Sequence, residues 1–193
     1  AGIDLWSVPS HYPNPVYRMP TPLRLAYNKA AIAIGVARGS LEVFADIAKN
    51  KIPMLTSASL ANRGIAQYRM GVAEATYRAA RAWLMESMTA VEDELTGNSD
   101  LPGAKTTQDA RLACTHAANE CMKVVDLLHN TAGTTGMRTY SPLERKLRDS
   151  HGAATHRWVA HPLYEDLGKI LLGIEPGPEF AGGTGAPILA KPK

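Results

Sequence analysis

Residues 128–156 read Leu-His-Asn-Thr-Ala-Gly-Thr-Thr-Gly-Met-Arg-Thr-Tyr-Ser-Pro-Leu-Glu-Arg-Lys-Leu-Arg-Asp-Ser-His-Gly-Ala-Ala-Thr-His. The stretch predicts the end of one helix, a turn holding Gly133 and Gly136, and a second helix that opens at Ser141-Pro142. Proline suits a first helical turn, where its missing N–H has no helical partner to lose. Arg148, Asp149, His151 and His156 then fall within about two turns of that second helix.

Helical spacing extends upstream. Leu23, Tyr27, Ala30, Ile34, Ala37, Leu41, Phe44 and Ala48 step by four and three, which draws one apolar stripe on a long helix. Much of the stripe is Ala, so a neighbouring helix can come close. Residues 50–58, with Pro53, read as a loop. A second helix is predicted from about Leu60 to Leu95, with Ala73, Tyr77, Ala80, Leu84, Met88, Val91 and Leu95 as its stripe. The breaker Gly97-Asn98-Ser99-Asp100-Leu101-Pro102-Gly103 follows. A third helix, from about Thr107 to Asn130, carries Ala110, Cys114, Ala117, Cys121, Val124 and Leu128. The fourth begins at Pro142, breaks near His161-Pro162 and resumes through Leu163, Leu167, Ile170 and Leu171.

No stretch alternates as a strand does, so the chain is predicted to be all-α, an antiparallel up-down four-helix bundle over residues 21–175. Residues 1–20, with Pro9, Pro13, Pro15 and Pro20, read as an extended lead-in. Residues 176–193, rich in Gly and Pro, read as a tail. The opening Ala-Gly-Ile-Asp-Leu-Trp reads as the continuation of a longer chain whose upstream domain is missing.

Composition excludes several classes. The 193 residues are 45% hydrophobic and 20% charged, as in an ordinary globular domain. A net charge of +3 without a basic run gives no ground for a nucleic-acid partner. No apolar stretch nears the roughly 20 residues that span a bilayer, and no secretory signal opens the chain. Cys114 and Cys121 lie on one helix face about 10 Å apart along the axis, too far for a disulfide. They read as buried thiols in a reducing, cytoplasmic setting. No metal site is expected.

Three groups of residues could carry chemistry. His156 can take a proton or hold an oxyanion near neutral pH, with the small residues Gly152 and Ala153 one turn earlier leaving room for a ligand; it could equally pack inside the bundle. Arg145 and Asp149 are spaced to pair across one helical turn, which an ordinary surface ion pair also explains. The Gly133–Gly136 turn lets backbone approach a ligand, and a plain helix C-cap explains Gly133 as well.

Together these residues resemble a known family. The turn Gly133-Thr134-Thr135-Gly136, then Tyr140, Pro142-Leu143-Glu144-Arg145, Arg148-Asp149 and His156, resembles the C-terminal helical domain of flavin enzymes with the acyl-CoA dehydrogenase fold. Gly35-Val36-Ala37-Arg38-Gly39 and Leu171-Leu172-Gly173-Ile174-Glu175-Pro176 match two further family landmarks. The resemblance spans roughly residues 20–177. It is most similar to the two-component flavin monooxygenases that hydroxylate aromatic compounds. Many dehydrogenases of the family carry a Tyr-Glu-Gly eight residues after the Arg of Arg-Asp, with the Glu as base. Here those positions are His156 and Arg157, and a guanidinium cannot act as that base.

The resemblance implies a reduced-flavin-dependent monooxygenase acting on a small aromatic or related molecule, with FAD or FMN supplied by a separate flavin reductase. It implies His156 as the catalytic residue, and Gly133, Thr134, Thr135 and Gly136 against flavin, either its own or that of a neighbouring subunit. It implies a homo-oligomer, as a tetramer. Because the family's other domains supply most flavin contacts, the chain by itself is expected to be inactive. Acyl-CoA dehydrogenation and a purely structural assembly module are the alternative readings.

Overall fold

A computed structural model describes Tyr12, residues 14–97 and residues 100–176. Five α-helices run in the order α1 (Thr21–Asn50), α2 (Gly64–Thr96), α3 (Ala104–Ala132), α4 (Pro142–Ala154) and α5 (Leu163–Leu171), with short 3-10 turns at Pro15–Arg18, Leu60–Asn62 and Gly133–Thr135. No strand occurs among the described residues. The expected all-α class is what the chain adopts. Most of the tail, residues 177–193, lies outside the described residues.

The hydrogen bonds at the helix ends give the directions. The Arg18 guanidinium donates to the Leu95 carbonyl, so the start of α1 lies beside the end of α2. Arg69 near the start of α2 donates to Thr131 near the end of α3 (3.4 Å). Asp126 and Asn119 of α3 meet His151 and Val159 in that order, so the chain through α4 runs back along α3. Successive long helices therefore alternate in direction.

The packing is not a square of four equal helices. α3 is the central element, packed on α1, α2 and α4, whereas α1 and α2 touch each other only lightly. This explains a discrepancy with the sequence reading. The predicted stripe of α3 is buried, but so are Arg111, Ala113, Thr115, Ala118, Asn119 and Val125 around it. A helix covered from three sides has no solvent face along much of its length. Small residues permit this approach: Ala26, Ala30, Ala33 and Ala37 of α1 and Ala110, Ala113, Ala117 and Ala118 of α3 are all buried. Leu23, Phe44, Leu95, Leu128 and Leu143 fill the space between, each contributing roughly 1.5–3 kcal/mol by burial.

Helix boundaries shift for local reasons. α2 begins at Gly64, because Arg63 is extended (φ −94, ψ 127) and Leu60–Asn62 form a separate turn. α3 begins earlier than predicted, at Ala104, where the Glu94 carboxylate accepts from the Gly103 N–H (2.6 Å) and from the Thr106 hydroxyl. Those bonds hold the Glu94 carboxyl below its ordinary range, the Thr106 bond most. α4 stops at Ala154, well before His161-Pro162. Thr155 turns its hydroxyl back onto the His151 carbonyl (2.8 Å), and its own N–H goes to the same oxygen (3.0 Å). Side-chain competition of this kind ends helices.

Candidate functional site

The opening of α4 is built as the sequence suggests. Ser141 is extended, and its hydroxyl accepts from the Leu143 N–H (3.4 Å) ahead of Pro142 in the first turn. The Ser141-x-x-Glu144 spacing is that of a capping box, but the Glu144 carboxylate instead takes two bonds from Arg148 (2.8 and 3.0 Å). Arg145 and Asp149 lie 3.6 Å apart as an exposed pair. The Arg-Asp group is thus a surface ion-pair set on this chain, worth little to stability.

The Gly133–Gly136 turn follows directly from the end of α3. Gly133 has φ 59 and ψ −145, a region that essentially only glycine populates. At Gly136 a Cβ would come within 3.2 Å of the His129 carbonyl oxygen, so the turn folds back tightly on α3. The Lys51 ammonium donates to the Ala132 carbonyl (2.6 Å), which ties the end of α1 to this turn. A positive charge at a helix C-terminus also complements the helix dipole. Beside the turn opens a cleft of about 550 Å³ lined by Asp46, Ile47, Asn50, Lys51, Ile52 and Thr135. Lys51 and Asn50 escaped the sequence reading, because nothing in a loop lysine marks it as lying next to a turn 81 residues away.

His156 sits elsewhere. It lies beyond the end of α4, in the bend that leads to α5, half-buried. Its Nδ1 faces the Trp158 N–H (3.5 Å), and its carbonyl accepts from the Val159 N–H (2.9 Å). Burial, then the positive charges of Lys29 and Arg157, push its imidazole below the ordinary pKa. It is therefore neutral at neutral pH. The position one turn earlier is open: a Cβ added at Gly152 would meet nothing within 4 Å. Arg157, where a dehydrogenase-type base would stand, is exposed, and its guanidinium lies 5.1 Å from the centre of the Trp158 ring. Glu165 points to Lys169 (2.7 Å) on the surface of α5.

The two predicted site features are thus not brought together within one chain. The thirteen residues of α4 separate them, about 20 Å at 1.5 Å per residue. Unforeseen residues surround His156 instead. The charge of Lys29 on α1 acts on it through space. Arg111 and Asn119 approach its bend from α3, with the Arg111 guanidinium 5.6 Å from the Trp158 ring centre and Asn119 donating to the Val159 carbonyl (2.9 Å). The four-residue spacing of Arg111, Thr115 and Asn119, each directly after an Ala or Cys, was the signal that could have revealed them.

Residues 27–161 match the family described as acyl-CoA dehydrogenase, C-terminal domain. The chain belongs to that family. It is 30% identical over 172 residues to the indole-3-acetate monooxygenase of Acinetobacter baumannii, covering 89% of this chain and 44% of that protein. It is also 30% identical over 163 residues to the oxygenase component of p-hydroxyphenylacetate 3-hydroxylase from Acinetobacter baumannii, covering 82% and 38%. Its fold is similar to that of XiaF from Streptomyces sp., solved in complex with FADH2 and glycerol, with a TM-score of 0.75, 20% identity, and coverage of 90% of this chain and 42% of that one. The chain therefore spans less than half the length of the proteins it matches. Among the described residues, no helix is long and apolar enough to cross a membrane.

Proposed function

We propose that this chain is the C-terminal domain of a reduced-flavin-dependent monooxygenase that hydroxylates an aromatic or related small molecule. The observation that carries the reading is the His156 bend: a neutral, half-buried imidazole beside Lys29 and Arg157, with no carboxylate where a dehydrogenase would keep its base. The named relatives, which act on indole-3-acetate and p-hydroxyphenylacetate, support the same chemistry. The flavin, FAD or FMN, is delivered reduced by a separate reductase in the cytoplasm.

The residues at hand fit one wall of a flavin site. The open cleft beside Thr135 offers a cation, an amide and the apolar Ile47 and Ile52. Gly133, Thr134, Thr135 and Gly136, with Lys51 and Asn50, would hold part of the cofactor there. Because α4 separates this turn from His156, the two ends of the domain serve two different cofactor copies in an oligomer. When bound, the reduced flavin supplies the activation of O₂.

The geometry of His156 favours one role over another. Its Nδ1 accepts from the Trp158 N–H, which leaves the neutral ring's proton on Nε2. His156 therefore donates a hydrogen bond from Nε2 to a substrate or peroxide oxygen. Lys29 and Arg157 lend positive charge to any phenolate held nearby. The exposed Ile65, Tyr68 and Val72 share one face of α2 and favour self-association; light scattering of the purified chain tests this.

The decisive experiment is His156→Ala in the full-length oxygenase, assayed with its reductase. Hydroxylation is expected to fall by about 10²–10⁴-fold while H₂O₂ release rises and flavin uptake persists. His156→Gln, which keeps a donor, recovers part of the loss. Normal hydroxylation by the alanine variant would overturn the assignment.

A further inference from the structure

α3 carries a buried polar ladder. Arg111, Thr115 and Asn119 step by four residues along one line of the helix, with exposures of 0, 0 and 3%. The buried apolar positions around them on α3 are Ala, Cys and Val. Burying such groups costs free energy unless each is well placed, so an apolar line would serve simple packing better.

The ladder leads to one place. The Asn119 amide donates to two carbonyls, Thr115 on its own helix (2.8 Å) and Val159 in the bend after α4 (2.9 Å). The Thr115 hydroxyl donates to the Arg111 carbonyl (3.0 Å). The Arg111 guanidinium lies against the Trp158 ring. Burial pulls this guanidinium down to about 10, so it keeps its charge at neutral pH. Trp158 and Val159 are in turn the two residues that hold His156, through its Nδ1 and its carbonyl. Val159 itself is fully buried.

We infer that the Arg111–Thr115–Asn119 ladder positions His156: α3 fixes Trp158 and Val159, and these fix the direction of the imidazole. This rests on the reading of His156 given above. Apolar contacts alone would let the bend slide on α3. A hydrogen bond to the Val159 carbonyl and a cation against one indole face determine both its depth and its rotation. Arg111, Asn119 and Trp158 are on this account positioning residues that touch neither substrate nor flavin.

The test uses the full-length oxygenase carrying Asn119→Leu, which keeps the volume and removes both donated bonds. Deuterium exchange followed by mass spectrometry reads the amides of residues 157–160 and, at longer times, the imidazole carbon of His156 and hence its titration. The amides are expected to exchange about tenfold faster, the scale of one lost buried hydrogen bond. The His156 titration is expected to climb back toward that of a free imidazole. Asn119→Gln, which retains the donor, recovers part of both. Trp158→Leu alters the half-buried side of the bend and gives the same readout should the Asn119 variant not fold. A fall in melting temperature with unchanged exchange and unchanged His156 titration would overturn the inference, because the ladder would then be packing alone. If both readouts shift while His156→Ala hydroxylates normally, the ladder still positions the imidazole, and only the catalytic role of His156 falls.

Discussion

Gly133→Ala tests whether the turn after α3 is held by conformation rather than by space. At Gly133 a Cβ would meet only the tip of Lys51, 3.5 Å away, which is ordinary contact. Steric crowding is therefore not the cost. The cost comes from φ 59 with ψ −145, a combination that strains a non-glycine residue by about 1–3 kcal/mol. For a chain of this size each kcal/mol moves the melting temperature by roughly 2–4 °C. A central cost of about 2 kcal/mol thus predicts a drop of about 4–8 °C by calorimetry or circular dichroism. Asn does not rescue the position, because it tolerates the left-handed helical region, and ψ −145 is far from it. Gly35→Ala is the opposite control. Gly35 is exposed within α1 with nothing within 4 Å of an added Cβ, so alanine should stabilise by about 0.5–1 kcal/mol. If Gly133→Ala melts with the wild type, or if Asn restores it, the conformational argument is wrong.

Other outcomes follow from burial and charge. Because the folded His156 holds its proton less tightly than the unfolded chain does, stability falls as pH drops through and below the ordinary imidazole range and is unaffected well above it. His156→Gln should flatten that part of a pH–stability curve. Cys114 and Cys121 are buried, and burial pushes both thiols up to about 12. A thiol reagent at neutral pH should label neither until denaturant unfolds the chain, and fast native labelling would contradict the packing of α3. Leu128→Ala, at a fully buried position of α3, should cost about 2–5 kcal/mol in urea unfolding.

The helices were legible because their apolar residues recur at the helical period, and every stripe residue named for α2 and α3 is buried. Their ends were less so. Thr155 stops α4 by folding its hydroxyl onto His151, a local choice that apolar periodicity does not record. The family resemblance rested on residues spread along the chain, from Gly39, where a Cβ would run into Lys146 of α4, to Gly173, whose φ of 72 closes α5.

The sequence by itself determined that the chain is helical, which stretches form its long helices and which family it resembles, since these depend on spacing within short windows. Only the tertiary structure decided that α3 is covered on three sides, that His156 stands about a helix length of 20 Å from the Gly133 turn, and that Lys51 lies beside that turn while Arg111 and Asn119 lie beside the His156 bend. Those facts depend on contacts between residues far apart in the chain, such as Lys51 and Ala132, 81 positions apart. Such contacts are set by how helices stack and turn against one another, and no local pattern of residue types encodes that arrangement.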